Sequence, residues 1–492
     1  MRTLEILPIK FYAEHFMLLF CYNLFVWLHN IMDKNKKVLL KILDIDDELV
    51  EDAYIETDND INTIYIKLKR IIVCCPNCGS IKLLSKGFYK SKVVGCPFNG
   101  KPTYIICKIR KYKCNDCDAF PVDSNPISYK NTNMTRTAVI TILKELKPYN
   151  STYASVARRF GISVTQVINL FDKYIRVKRK KLPRILLIDE FFFSRKAKYK
   201  YPAIIMNFEN NVIIDVIKSR KQEITIDYFS RIPKNEKEAV EYICTDMSYT
   251  FKPLLKLYFP NSTLLIDHFH VIKYINDQLN NTRIRVMRKY SNDKTSLEYR
   301  LLKHRYKLLL KNEEDLDIET YRKDNILNYT TTQQEVVHQI LLIDKEIEKA
   351  YKLKEQYRSF DSITKEEIND YDMESVLNSI IRDFSNSNIE EMQDVSSTLK
   401  NWKQEILNSF VWINNRRISN GPIEGKNYYI KKIIYNGNGM INFERTRNRI
   451  LYSQNMYETF DINYEYSDSI KMKASDYASY NDDELDEFEE MF

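Results

Sequence analysis

"RILLIDE" occupies Arg184–Glu190, and "YPAIIMNFENNVIIDVI" occupies Tyr201–Ile217. The first is a short apolar run that ends on two acids. The second is a pair of β-rich runs about a Glu-Asn-Asn turn, which predicts a hairpin. Downstream, "AVEYICTD" and "STLLIDHFH" supply two more short strands, separated by the helix-length piece "SYTFKPLLKLYF". Strand, hairpin, helix, strand, helix, strand is the order of a mixed α/β sheet. Asp189 ends the first strand, and Asp246 follows the strand "EYIC". If those strands are neighbours, both carboxylates converge at one sheet edge, where they can hold Mg2+, a hard cation that takes oxygen ligands. Glu190 is a rival ligand to Asp189.

A third acid stands alone in "ISNGPIEGKNYYIKKI", Ile418–Ile433. Around it are Arg416, Arg417, Lys426, Lys431 and Lys432, and Glu424 is the only acid between Ile406 and Phe443. Pro422 suits the first helical position, which makes Glu424 the third. On that helix Glu424, Asn427 and Lys431 share a face. The expectation is that Glu424 joins the two Asp residues at the metals, while Asn427, Lys431 and the other cations touch phosphates. The competing reading leaves Glu424 as a first-turn acid that only complements the helix dipole.

The totals agree with a polyanionic partner. Net charge over 492 residues is +8, yet the last 17 residues hold eight acids and no Lys or Arg, so the remainder carries +16. Such a body favours nucleic acid. The chain is long enough for several domains. Phe16–Leu28 is the one membrane-like stretch. It is 13 residues long and contains Asn23, too short to span a bilayer. No small-residue cleavage site follows it. With clustered cysteines this reads as an intracellular protein in which metal binding prevails over disulfides.

Most of the nine cysteines fall from Cys74 to Cys117. Cys75 and Cys78 form one C-x-x-C pair and Cys114 and Cys117 another, with 35 residues between. Two such pairs complete the tetrahedral thiolate set that zinc prefers, and four protein ligands make it structural. Cys74 competes with Cys75. The intervening "TYIICKIRKYK" alternates as a ribbon strand does.

Between ribbon and sheet lies "STYASVARRFGISVTQVINLFDKYI", Ser151–Ile175. Ala157 is small where two helices would cross, Gly161 allows a turn, and Ser163 can cap the second helix. Val156, Phe160, Val164, Val167, Ile168 and Phe171 form the expected inner stripe. Thr165, Gln166 and Asn169 would face the major groove. The basic run that follows, with Lys178 and Lys180, would add phosphate contacts.

Taken together, "CPNCGS" with "CNDC", "LLIDEFFFSRK", "CTDMSYTFKPLLKLYFPNSTLLIDHFHVIK" and "NGNGMINFERTRNRIL" resemble the DDE transposases of bacterial insertion sequences, specifically the ISL-three family. The resemblance runs from about Cys75 to Tyr452. It implies an RNase H-like catalytic domain with a mixed five-stranded sheet, split by a helical insertion before its Glu. It makes Asp189, Asp246 and Glu424 the triad for two catalytic Mg2+ (Mn2+ as substitute), beside one structural Zn2+. Asp267 and His270 in "DHFH" resemble the D-x-x-H element of related transposases, which makes Asp267 the alternative second Asp.

The domains expected are an extension of uncertain status (1–31), a lead segment (32–68), a zinc ribbon (69–130) and a helix-turn-helix (131–180). A catalytic domain follows (181–283 and 401–455), interrupted by a helical insertion (284–400) that lacks Gly and Pro, and then an acidic disordered tail (456–492). The implied activity is Mg-dependent 3′-end cleavage and strand transfer on double-stranded DNA, at terminal inverted repeats and at target. The implied protein is a cytoplasmic, nucleoid-associated homodimer or higher oligomer without a membrane role. The alternatives are a catalytically idle DNA-binding regulator, or a structural-zinc nuclease without strand transfer.

Overall fold

The structure, a computed structural model, describes residues 34–462 apart from 59, 131, 438, 439, 456 and 457. The expectations for 1–31 and for most of the acidic tail fall outside these. Among the described residues no helix is long and apolar enough to cross a membrane. The chain divides into two units, one holding residues up to 176 and from 457 on, the other holding 177–456.

In the first unit, residues 34–42 are helical, and four strands follow: β1 (Val50–Thr57), β2 (Asn62–Leu68), β3 (Leu83–Val94) and β4 (Thr103–Cys114). They form one sheet in the order β1-β2-β4-β3. The β3–β4 hairpin is the expected ribbon. The lead segment, expected to be separate, is instead continuous with it, because β2 pairs with β4 in parallel from Asn62↔Thr103 to Lys67↔Lys108. Strict alternation on β2 and β4 turns Ile64, Ile66, Ile105, Cys107 and Ile109 into one shared core, which is why the two segments cannot be cut apart.

Three helices complete this unit: α1 (Arg136–Glu145), α2 (Tyr153–Phe160) and α3 (Val164–Tyr174). Gly161 ends α2 at φ 65°, a left-handed position where glycine carries no steric penalty. A Cβ there would also run into the Tyr104 hydroxyl. Ser163 caps α3 in a reciprocal capping box with Gln166. The buried stripe of α3 is Val167, Leu170, Phe171 and Tyr174, with Val164 exposed and Ile168 half-buried. The sequence fits two overlapping helical stripes. The one that buries the larger Leu170 and Tyr174 prevails, and Tyr153 of α2 packs edge-on against Phe171 at 5.5 Å. The beginning of the expected tail is not disordered. Ile462 is buried, and its carbonyl accepts a 2.7 Å hydrogen bond from the Tyr129 hydroxyl.

The second unit is built on a five-stranded mixed sheet in the order β7-β6-β5-β8-β9. Its strands are β5 (Ile185–Glu190), β6 (Ala203–Asn207), β7 (Ile213–Ile217), β8 (Tyr242–Thr245) and β9 (Thr263–Ile266). The β6–β7 hairpin turns on Asn211 at φ 57°. Strands β5, β8 and β9 run parallel. They read as unbroken apolar runs because both faces are covered. Helices α4 (Gln222–Ser230), α5 (Lys234–Glu238) and α6 (Phe251–Tyr258) follow β7 and β8. Phe229, Phe251, Leu255 and Phe259 pack with Leu186, Ile188 and Ile243.

From the end of β9 the chain enters a helical body: α7 (His268–Lys289), α8 (Leu297–His304), α9 (Tyr306–Leu309), α10 (Gln333–Leu341), α11 (Lys345–Asp361), α12 (Met373–Ser385), α13 (Glu390–Asn401) and α14 (Lys403–Asn408). The expected insertion limits, 284 and 400, fall inside α7 and α13. One apolar core runs from Ile266 to Phe410 around Trp402, so the body begins where β9 ends. Buried Glu405 ties it to α6 through Lys252 (2.8 Å) and Lys256 (2.9 Å). A short hairpin, β10 (Trp412–Ile413) and β11 (Arg416–Arg417), leads into α15 (Gly421–Asn436) and α16 (Phe443–Gln454).

Candidate active site and zinc site

Parallel register decides where the acids go. Ile185 pairs with Tyr242 and Leu187 with Cys244, while Cys244 pairs with Leu265 and Thr245 with Ile266. The same register brings Asp189 at the end of β5, Asp246 one residue past β8 and Asp267 one residue past β9 to the same end of the sheet. The Asp267 N–H bonds the Thr245 carbonyl at 2.9 Å, so the pairing does continue. Adjacent strands lie about 4.8 Å apart, close enough for the carboxylates to repel. Sequence reasoning treats Asp246 and Asp267 as alternatives; the sheet brings both to the same edge.

Helix α15 completes the cluster. It begins at Gly421, so Pro422 is its second residue and Glu424 its fourth, one place later than expected. The helix is pinned to β5 by two asparagines. Asn420 is fully buried and donates from Nδ2 to the Ile188 carbonyl at 3.0 Å. Asn427 Nδ2 donates to Asp189 Oδ2 at 2.7 Å. Asn427 is therefore committed to a carboxylate and is not a phosphate contact. Ligand atoms of Asp267, His270 and Glu424 lie within 4.8 Å of one another, and His270 Nε2 is 3.6 Å from Asp267 Oδ2. Asp189 and Asp246 fall outside that tightest group.

The electrostatics are those of crowded anions. Burial, followed by repulsion from Asp246 and Asp267, pushes the Asp189 carboxyl up to about 6 against the pull of the Glu190 N–H and His270. Burial also raises Asp246 and Asp267, with His270 opposing in both cases. Glu190 rises to about 7 for the same reason, held back by Arg220 at 3.2 Å. Both Asp267 carboxylate oxygens are buried with no hydrogen-bond partner. Such orphans are costly without a compensating positive charge. A hard divalent cation supplies one, and oxygen ligands are the set it takes.

The basic residues expected to meet DNA divide. Arg417 is spent inside the protein: its guanidinium pairs with Asp361 at 3.0 Å, donates to the Asp361 and Ser409 carbonyls, and stacks on Phe410. His268 Nδ1 meets the other Asp361 oxygen at 3.0 Å, and the His268 hydrogen bond and the Arg417 guanidinium hold Asp361 below the usual carboxylate range against its burial. This clamp fixes the start of α7 to the end of α11; nothing in the local sequence pattern announces it. Lys426 is half-buried and donates to the Gln454 carbonyl at 3.0 Å. Arg416 lies over the Phe208 ring, and Lys432 over Tyr428. Lys431 is exposed. In the basic run after α3, Lys178 is exposed, the Lys180 N–H bonds the Ile214 carbonyl, and Arg179 pairs with Glu236 at 2.7 Å. Most of that run therefore belongs to the second unit. Thr165, Gln166 and Asn169 are exposed on α3 as expected, with Gln166 also closing the cap.

In the first unit Cys75, Cys78, Cys114 and Cys117 converge within 4.8 Å. Cys75 Sγ is 3.7 Å from Cys117 Sγ, and Cys78 Sγ is 3.6 Å from Cys114 Sγ. A regular tetrahedron with Zn–S bonds of about 2.3 Å has S···S edges of about 3.8 Å, so the thiols fit the ion. The Ala119 N–H and the Asn77 side chain bring the Cys117 thiol down to about 6. Cys74 is exposed and outside the group, which resolves its rivalry with Cys75.

Comparison with known families gives two matches. A family model described as a transposase, of the DDE ISL3 type, matches residues 186–450. A second, described as the zinc-finger of transposase IS204/IS1001/IS1096/IS1165, matches residues 73–117. No curated protein matches the chain. Together the two matches define the class, a DDE transposase with a zinc-ribbon region ahead of its transposase region. The first match covers more than half of the 492 residues, and the chain belongs to the ISL3 family of DDE transposases.

Proposed function

We propose that this transposase binds the terminal inverted repeats of its element and carries out 3′-end cleavage and strand transfer at the edge lined by Asp189, Asp246 and Glu424. The observation that carries the reading is the gathering of Asp189, Asp246 and Asp267 at the ends of the adjacent strands β5, β8 and β9, with Glu424 of α15 brought against Asp267. The strand order, with β5 central and β6–β7 antiparallel to it, supports an RNase H-like fold. Asp189, Asp246 and Glu424 would hold two Mg2+, with Asp267 as a fourth carboxylate. When bound, the ions would activate the attacking oxygen and stabilise the leaving oxygen of a phosphodiester. The chain's own work is to hold four carboxylates at one edge. Asn427 orients Asp189, while His270 offsets the charge on Asp267. Water attack would leave a 3′-OH and a 5′-phosphate; the 3′-OH would then displace a strand at the target. Helices α2 and α3 support a helix-turn-helix, with Thr165 and Asn169 on its exposed face.

The test is a Mg2+-dependent assay on duplexes that end in the element's inverted repeat. Wild-type protein should nick at the 3′ end and join a pre-cut end to a plasmid. Asp189→Ala should bind the duplex and not nick it. Full nicking by that variant refutes the assignment. Binding without nicking by the wild type indicates an idle regulator, and nicking without joining indicates a nuclease.

A further inference from the structure

Two loops at the acidic edge have no role in the proposal above. The strand register sets Glu190 beside Ala203, and Ala203 beside Ile217. The β5–β6 loop (191–202) and the segment after β7 (218–221) therefore leave from the same sheet edge as Asp189. The first loop carries Arg195, Lys196, Lys198 and Lys200, all exposed. The second carries Lys218, Arg220 and Lys221. Neither contains an acid.

The loops are built rather than loose. The Phe191 N–H bonds the Pro202 carbonyl at 3.0 Å, the Phe193 N–H bonds the Lys200 carbonyl at 2.8 Å, and the Arg220 N–H bonds the Tyr201 carbonyl at 3.0 Å. Phe191, Phe193 and Ala197 are buried beneath, which turns the charged residues outward. The loops also hold each other. Lys218 lies over the Tyr199 ring at 4.9 Å, and Arg220 over the Tyr201 ring at 4.8 Å. Arg220 further bridges to Glu190 beside the acid row.

We infer that these two loops form a preformed, sequence-independent grip on the sugar-phosphate backbone of duplex DNA as it enters the acidic edge. This inference rests on the DNA-cleaving reading above. Like-signed side chains standing together on ordered backbone cost self-repulsion, and a row of phosphates relieves it. Contacts from such exposed lysine and arginine side chains to phosphate oxygens carry no sequence information, which is why the grip is assigned to the backbone and not to base edges. Next to four carboxylates, which repel DNA, such a grip supplies the compensating attraction.

The test uses the full chain and a 30-base-pair duplex of arbitrary sequence without the inverted repeat, titrated from 50 to 200 mM KCl. The variant is Arg195→Ala/Lys196→Ala/Lys198→Ala. Three lost phosphate contacts should lower the slope of log affinity against log salt by about 2.7, so the wild type should lose roughly 40-fold more affinity than the variant across that range. Lys196→Gln, a single exposed change, should lower the slope by about 1 and serves if the triple variant is misfolded. Unchanged slopes overturn the inference. A lowered slope with undiminished cleavage of the terminal-repeat duplex at 200 mM KCl also overturns it, because the grip would then lie away from the reacting strand. If the wild type does not cleave at all, the proposed function fails, while a lowered slope would still establish the DNA contact.

Discussion

Asp189→Asn offers a test of the crowded acid row that needs no DNA. In the folded chain Asp189 titrates at about 6, against 3.8 for the free group. Between these values the folded protein binds more protons than the unfolded chain. Stability therefore falls as pH rises from about 4 to 6, and the penalty is complete above that window. Roughly two pK units at about 1.4 kcal/mol each set a ceiling near 3 kcal/mol. Asparagine keeps the shape and removes the charge. It retains one acceptor oxygen where the aspartate has two, one for the Glu190 N–H at 2.8 Å and one for Asn427. That loss returns about 1 kcal/mol. The expected net effect in magnesium-free buffer at pH 8 is a gain of about 1–2 kcal/mol, a rise of roughly 2–8 °C in the melting of the second unit. The gain should vanish at pH 4. Added Mg2+ should raise the wild-type melting temperature and move the variant far less. Calorimetry without chelator, which spares the zinc, measures all three. A variant less stable than wild type at pH 8 without magnesium would refute the repulsion argument.

Other expectations are independent of that one. Cys114→Ser should abolish stoichiometric zinc and melt the ribbon while leaving the transition of the second unit in place, as read by metal analysis and calorimetry. Arg417→Ala should destabilise the second unit by about 3–5 kcal/mol, because it strands buried Asp361; its effect on DNA affinity, measured at a temperature where the variant is folded, should be small. Gly161→Ala should lower the stability of the first unit by more than about 1 kcal/mol, since the left-handed φ and the Tyr104 hydroxyl both oppose a Cβ. Thermal melting of that variant would show it.

The elements of the sheet were legible because short apolar runs bounded by polar turns have few alternative readings. Both C-x-x-C pairs were legible for the same reason: thiols at that spacing serve few other purposes. What sequence could not supply was register. That Asp246 and Asp267 share one end of the sheet appears only once β8 and β9 are paired. Charge was misleading in a specific way. Arg417, Lys426 and Asn427 look like a DNA face in the linear text, yet each is consumed by a partner remote in sequence: Asp361, the Gln454 carbonyl and Asp189. A residue type shows what a side chain can bind, while its burial decides what it does bind. The union of the lead segment with the ribbon is hidden in the same way, because parallel pairing of β2 with β4 leaves no local trace.

Helix α7 has a mechanical implication. It starts one residue after Asp267, carries His270 in its first turn, and runs 22 residues, about 33 Å, through the core of the helical body. Helix and acid thus form a single stiff spoke, with the His268–Asp361–Arg417 clamp acting as its bearing. A rotation of 5° about that bearing would sweep the far end through about 3 Å. Any load applied to the helical body is delivered, geared down, to the very carboxylate that lacks a hydrogen-bond partner.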